Sequence, residues 1–154
     1  MARKSYSEQE REQVKEALMA TVLQCIVDRG LIHSSIETLC QKVGISKTFF
    51  YSLFASKEEL VCQALRYQQP RLLNYARQLM KDPSLSWRAG VETFLKNCCY
   101  GAKNGVAVLS IEEEQQVYHC LSEANFQAFR RDQIVFYVKL LSIFGLPVDS
   151  IDPR

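Results

Sequence analysis

The chain has 154 residues, 47% of them hydrophobic and 23% charged, with 6 Gly and 4 Pro. That balance excludes a disordered or fibrous polypeptide and fits one compact unit, or two small ones sharing a core. The formal net charge of +2 gives no global electrostatic case for a nucleic-acid partner, so any such case must come from how the charges are distributed.

Long segments of 3.6-residue periodicity dominate and alternating strand patterns are scarce, so the fold class expected is all-α. Residues 1–6 form a short arm carrying Arg3 and Lys4. It reads as a frayed terminus in preference to a tail that adds phosphate contacts. Ser7 and Glu10 have the capping-box spacing. Behind them Val14, Ala17, Leu18, Thr21, Val22, Cys25 and Ile26 make one apolar stripe, a first helix that Gly30 ends. His33 falls in the following link and reads as a solvated loop histidine.

Ser34 and Ser35 can each cap a second helix, with Glu37 three residues after Ser34. Its apolar face is Ile36, Leu39, Cys40 and Val43. Gly44 supplies the positive φ that a helix end asks for. Ile45 plugs the turn, Ser46 caps a third helix, and Phe50 and Phe54 share its core face at i, i+4. The stretch 35–54 therefore has the length and punctuation of a helix-turn-helix.

In that motif the second helix of the pair enters the major groove, with its N-terminal residues against base edges. Those residues here are Lys47, Thr48 and Phe49. Lys47 can donate to a guanine edge or a phosphate, and Thr48 can offer its hydroxyl or meet a thymine methyl. Phe49 either contacts thymine methyls or folds back onto the domain, and the groove is the preferred reading. Tyr51 and Ser52 come round to the same side one turn later. Ser35 presents its hydroxyl and nearby N–H groups to a phosphate at the positive end of its helix. Ser56-Lys57 opens the fourth helix in the same manner. Residues 1–60 hold eight basic and eight acidic side chains, yet 38–57 contains Lys42, Lys47 and Lys57 and no acid. The basic surface is thus local, on the reading element.

The run Gly44-Ile45-Ser46-Lys47, then Phe50-Tyr51, then Phe54-Ala55-Ser56-Lys57-Glu58-Glu59-Leu60 resembles the DNA-binding signature of the TetR family of transcriptional regulators. The preceding helix ends in Arg29-Gly30-Leu31, where that family has a Gly followed by an apolar residue. The resemblance covers residues 8–68 and is one of architecture only beyond them. It implies a phosphate contact for the Tyr51 hydroxyl and another for Lys57. It also implies a homodimer on a palindromic operator in double-stranded DNA, and repression relieved by a small-molecule effector held in the C-terminal half. Thr48, Phe49 and Leu53 depart from the family, which has small or polar residues at these positions, so a more apolar groove contact is expected.

The second unit, 69–154, is expected to be a helical regulatory domain. The fourth helix should run from Lys57 to about Gln68 and be bent or ended by Pro70. An amphipathic segment at 71–80 follows, stopped by Asp82-Pro83. Ser84 then caps a long helix carrying Trp87, Val91, Phe94, Leu95 and Cys98, and Gly101 and Gly105 break the pattern. Ser110 and Glu113 form a further capping box. One helical run holding Val117, Tyr118, Leu121, Phe126 and Phe129 leads into 134–138, apolar almost all round and expected to be buried. Gly145 and Pro147 close it. Most of the sixteen aromatics lie in this half. They are either plain core or the wall of an apolar ligand pocket, and Trp87, Phe94, Cys98 and Tyr118 are the candidate lining. The TetR-like proteins add two helices after this point to make a four-helix dimer interface. A chain ending at Asp152-Pro153-Arg154 lacks them or uses 134–144 in their place.

The six cysteines are Cys25, Cys40, Cys62, Cys98, Cys99 and Cys120. With no signal-peptide core at the N-terminus and no apolar run near the ~20 residues of a membrane span, a cytoplasmic protein with reduced thiols is expected. An alternative signal is oxidation through Cys98, Cys99 and Cys120, although vicinal cysteines bridge poorly. A remote alternative is a helical small-molecule-binding protein or an enzyme. Catalysis is not expected, because phosphate loops, nucleophile elbows and HExxH helices are all missing from the sequence. No cofactor and no metal are expected: His33 and His119 are far apart and no CxxC spacing occurs.

Overall fold

The computed structural model describes residues 5–99 and 105–149, Cys99 by its backbone only. The arm residues Arg3 and Lys4, Gly101 and the terminal Asp152-Pro153-Arg154 lie outside them. The described chain is all-α: α1 (Glu8–Arg29), α2 (Ile36–Val43), α3 (Lys47–Leu53), α4 (Lys57–Lys81), α5 (Trp87–Cys99), α6 (Ile111–Cys120) and α7 (Glu123–Ile143).

Hydroxyl caps set most of these boundaries. The Glu10 N–H donates to Ser7 Oγ at 3.2 Å while Glu10 returns its carboxylate to the Ser7 N–H at 2.8 Å. Ser110 and Glu113 repeat the arrangement at α6. The box foreseen between Ser34 and Glu37 does not form. A single 3-10 turn at Leu31–His33 shortens the link, so Ser34 is rotated into the core, fully buried, with its hydroxyl donating to the Gly30 carbonyl at 3.4 Å. Ser35 caps α2 instead, accepting the Thr38 N–H at 3.1 Å. Gly44 then takes the left-handed conformation, φ 79° and ψ 38°, and Ser46 caps α3 through the Phe49 N–H at 3.1 Å.

Three boundaries in the second half differ from the sequence expectation. Pro70 neither ends nor splits α4, which continues to Lys81. The missing N–H and the ring clash cost a helix about 3 kcal/mol, but packing on both sides of the proline holds the rod together. N-terminal to it, Leu60, Val61 and Ala64 enter one core, and C-terminal to it Leu73 and Ala76 enter another. Ser84 does not cap α5. It closes a turn on Asp82 through its N–H at 2.8 Å and its hydroxyl at 2.6 Å, and Ser86 caps the helix through the Ala89 N–H at 3.1 Å. Finally, the expected single run through 117–143 breaks at Leu121, and Ser122 starts α7 by accepting the Asn125 N–H at 3.2 Å.

The first core joins Leu18, Val22, Leu39, Phe50, Phe54, Leu60 and Val61. It also takes in Ala107, Val117 and Phe129, from beyond residue 68. The division expected at 68/69 therefore falls inside α4, and α6 packs on the helix-turn-helix unit. The second core gathers Leu73, Ala76, Phe94, Phe136, Leu140 and Phe144 from α4, α5 and α7. Residues 134–138 are not the buried segment that their composition suggested. Phe136 is buried, whereas Ile134, Val135 and Tyr137 are exposed, because α7 meets the second core along one face only.

Candidate nucleic-acid interface

Helix α3 is only seven residues long, and its orientation is set by its two core phenylalanines. Phe50 and Phe54 are buried with ring centroids 5.9 Å apart, which turns Lys47, Thr48, Tyr51 and Ser52 outward. Tyr51 stands edge-on to Phe50, its ring 54% exposed. Ser35, Lys47, Tyr51, Ser56 and Lys57 line one shallow concavity of about 520 Å³, together with Glu37 and Glu58. The N-termini of α2 and α4 open onto this surface on either side of α3. Each brings backbone N–H groups and the positive end of a helix dipole toward an anion placed there. The concavity thus joins residues 22 positions apart that sequence spacing alone does not bring together.

The electrostatics of the concavity are less simple than the acid-free window 38–57 suggested. Glu37, one residue outside that window, accepts a hydrogen bond from the Lys47 ammonium across the turn between α2 and α3. That hydrogen bond lowers the Glu37 pKa below its ordinary value, and the same bond raises that of Lys47. Both side chains are well exposed, so the pair is a readily exchanged surface contact. Any anion reaching Lys47 would have to compete with Glu37 for it.

Phe49 is not free in solvent as the groove reading required. Its ring stacks on Tyr6 with centroids 4.0 Å apart at 17°, and the Arg11 guanidinium lies 5.6 Å from its centroid. It is half-buried at the start of α1, so the preferred sequence reading is corrected in favour of folding back: stacking takes a ring face out of water and adds the pull of the Arg11 cation. Arg11 also donates to the Ser52 carbonyl at 3.0 Å, while the Ser52 hydroxyl turns back to the Phe49 carbonyl at 2.7 Å. Tyr6 and Arg11 are the site residues that sequence reasoning missed. No local pattern points to them, because the contact spans some forty residues of chain.

The candidate ligand lining does not assemble. Phe94 is sealed in the second core. Trp87 is 53% exposed and donates its indole N–H to the Phe144 carbonyl at 2.7 Å. Tyr118 packs on Phe126 and Phe129 beside the first core, its hydroxyl donating to Glu114 at 2.6 Å. Cys98 borders a cavity of about 440 Å³ between α4 and α5 with Tyr75 and Asn97. Phe94 and Cys98 belong to α5 and the second core, whereas Tyr118 lies on α6 against the first core. Of the cysteines in the redox alternative, Cys98 is half-buried and Cys120 exposed, and the Cys99 side chain is outside the described residues. Among the described residues no three metal-ligating side chains converge, and no helix is long and apolar enough to cross a membrane.

Fold and site together define an all-α protein with an N-terminal helix-turn-helix unit built into a larger helical body. Over 87 residues the chain is 29% identical to the HTH-type transcriptional activator FasR of Mycolicibacterium smegmatis (strain ATCC 700084 / mc(2)155). That stretch is 54% of this chain and 40% of FasR, so the chain spans well under half of that relative's length. The fold is similar to the crystal structure of E. coli NemR in its reduced form, with a TM-score of 0.53 and 20% identity. The superposition covers 84% of this chain and 70% of NemR. At that identity the likeness concerns the fold alone. No family model matches the chain.

Proposed function

We propose that the protein is a TetR-like, DNA-binding transcriptional regulator, not an enzyme, which acts as a homodimer on a palindromic operator and responds to a small-molecule effector. The observation that carries this reading is the convergence of Ser35, Lys47, Tyr51 and Lys57 on one open surface around α3. Helix α3 enters the major groove, Lys47 and Thr48 meet base edges, and Ser35, Tyr51 and Lys57 hold flanking phosphates. Phe49, stacked on Tyr6, props the reading helix against α1 instead of touching thymine methyls. The printed name of FasR, a helix-turn-helix activator, supports the DNA-binding part. It also leaves the sign of regulation to the position of the operator, so repression is not part of the proposal.

The test is selection of bound sequences from a randomised duplex library, followed by mobility shift of the recovered duplex. Two half-sites are expected about one turn of DNA apart, ~34–36 Å. The Tyr51→Ala/Lys57→Ala double variant should bind at least about tenfold more weakly, with the salt slope reduced by about two, one for the Lys57 of each protomer. A selected duplex that wild-type protein retards no better than the double variant would end the reading.

A further inference from the structure

A second cavity of small-molecule size lies outside the second core. It is a cleft of about 860 Å³ between the C-terminal half of α1 and the middle of α4, within the size range of small-molecule sites. Met19, Leu23 and Val27, at i, i+4 and i+8, form its apolar wall on α1, half-buried beside the first core. Its other wall carries Arg66, Tyr67 and Arg71, and no carboxylate belongs to the lining. The two guanidinium groups differ in availability. Arg66 is bound to Asp132 of α7. Arg71 gives one N–H to the neutral Gly105 carbonyl at 2.8 Å, and no described carboxylate lies within ion-pair distance of it. A guanidinium has five N–H donors, so Arg71 retains donors and an uncancelled charge at the mouth of the cleft. Gln68, beneath it, spends both ends of its amide on Ala107, at 2.8 and 3.2 Å, and has no share in recognition.

We propose that this cleft binds a small apolar molecule bearing one anionic group, with the apolar body on Met19, Leu23 and Val27 and the anion on Arg71. The occupant spans α1, part of the helix-turn-helix unit, and α4, the rod into the second core. It is therefore placed to bias the angle between them, and this consequence, unlike the binding itself, rests on the DNA-binding reading above.

A matched pair of dyes tests the binding without DNA. 8-Anilinonaphthalene-1-sulfonate carries the anion, and N-phenyl-1-naphthylamine has the same rings without it. The sulfonate should bind saturably and more tightly than the neutral dye. Arg71→Gln should weaken the sulfonate about tenfold and leave the neutral dye unchanged, as expected for loss of a charge-assisted hydrogen bond. Ala20→Trp should weaken both dyes, since Ala20 lines the cleft from an exposed position outside either core, so the indole fills the space with the fold intact by circular dichroism. Absence of saturable binding, equal affinity for the two dyes, indifference to Arg71→Gln or indifference to Ala20→Trp would each overturn the proposal. If dye binding follows the prediction while no duplex is ever selected, the cleft stands and the DNA-binding reading fails.

Discussion

Glu37 shows how a single residue changes the reading of a surface. The spacing from Ser34 marked it as a capping partner, and the adjoining window looked free of acid; in three dimensions its carboxylate holds Lys47. Lys47 and Tyr51 could be placed on the outward side from sequence because a helix-turn-helix fixes which side of its second helix faces out, and Lys57 because Ser56 caps the next helix. Glu37 could not, since its pairing depends on the angle between α2 and α3. Replacing it tests the competition: Glu37→Gln should raise affinity for the selected duplex by about two- to fivefold at low salt, with the gain fading as salt screens it. Unchanged affinity at every salt concentration would show that Glu37 does not compete. Cys62 offers a residue-scale test of the core. Burial pushes its thiol from 9.0 up to about 12. Below pH 9 the thiol is neutral in both the folded and unfolded chain, so its contribution to stability is fully present. Between about 9 and about 12 the unfolded chain ionises and the folded one resists, so stability is lost as pH rises through that window. Urea melts should therefore show a flatter alkaline limb for Cys62→Ala than for wild type. In native protein at pH 8, iodoacetamide should modify the exposed Cys120 well before Cys62.

At the scale of elements, the helices were readable wherever a hydroxyl cap and an apolar stripe agreed, as at Ser7, Ser46 and Ser110. The start of α2 was left between Ser34 and Ser35, and that of α5 was placed at Ser84 instead of Ser86, because the choice depends on how the preceding turn packs. Pro70 is the instructive failure. A local rule that ends helices lost to two cores gripping one rod, Leu60 to Ala64 on one side and Leu73 to Ala76 on the other. The proline is exposed, so Pro70→Ala restores an N–H for the Arg66 carbonyl without repacking either core. The helix gain of about 3 kcal/mol, less about 1 kcal/mol of added freedom in the unfolded chain, leaves a net stabilisation of about 2 kcal/mol. That corresponds to a rise in melting temperature of roughly 4–8 °C for a chain of this length. A melting temperature that stays the same or falls would mean that the proline bends α4 into a shape the two cores require.

For the whole molecule, the all-α class and the placing of the helix-turn-helix followed from periodicity and punctuation. The boundary at 68/69 and the candidate ligand lining did not follow, because neither the α6 docking site nor the separation of Phe94 from Tyr118 leaves a trace in local pattern. Besides α4 and the shared first core, one carboxylate joins α6 to the helix-turn-helix unit. Glu113 accepts the Ser110 N–H on one oxygen at 2.9 Å, completing the α6 cap. On its other oxygen it accepts the Leu31 N–H at 2.6 Å, in the link between α1 and α2. Leu31 is buried, so removing that acceptor strands a donor away from water, at a cost of about 1–3 kcal/mol, while loss of a cap alone costs about 1 kcal/mol. Two variants separate the contributions. Ser110→Ala should lower stability by the cap only, whereas Glu113→Ala should lower it by about 2–4 kcal/mol and speed hydrogen exchange at the Leu31 amide. If Glu113→Ala costs no more than Ser110→Ala, and the Leu31 amide stays protected, α6 does not tether the helix-turn-helix unit. The larger loss with a deprotected Leu31 would make the start of α6 a direct mechanical connection to the reading element, in parallel with the rod of α4.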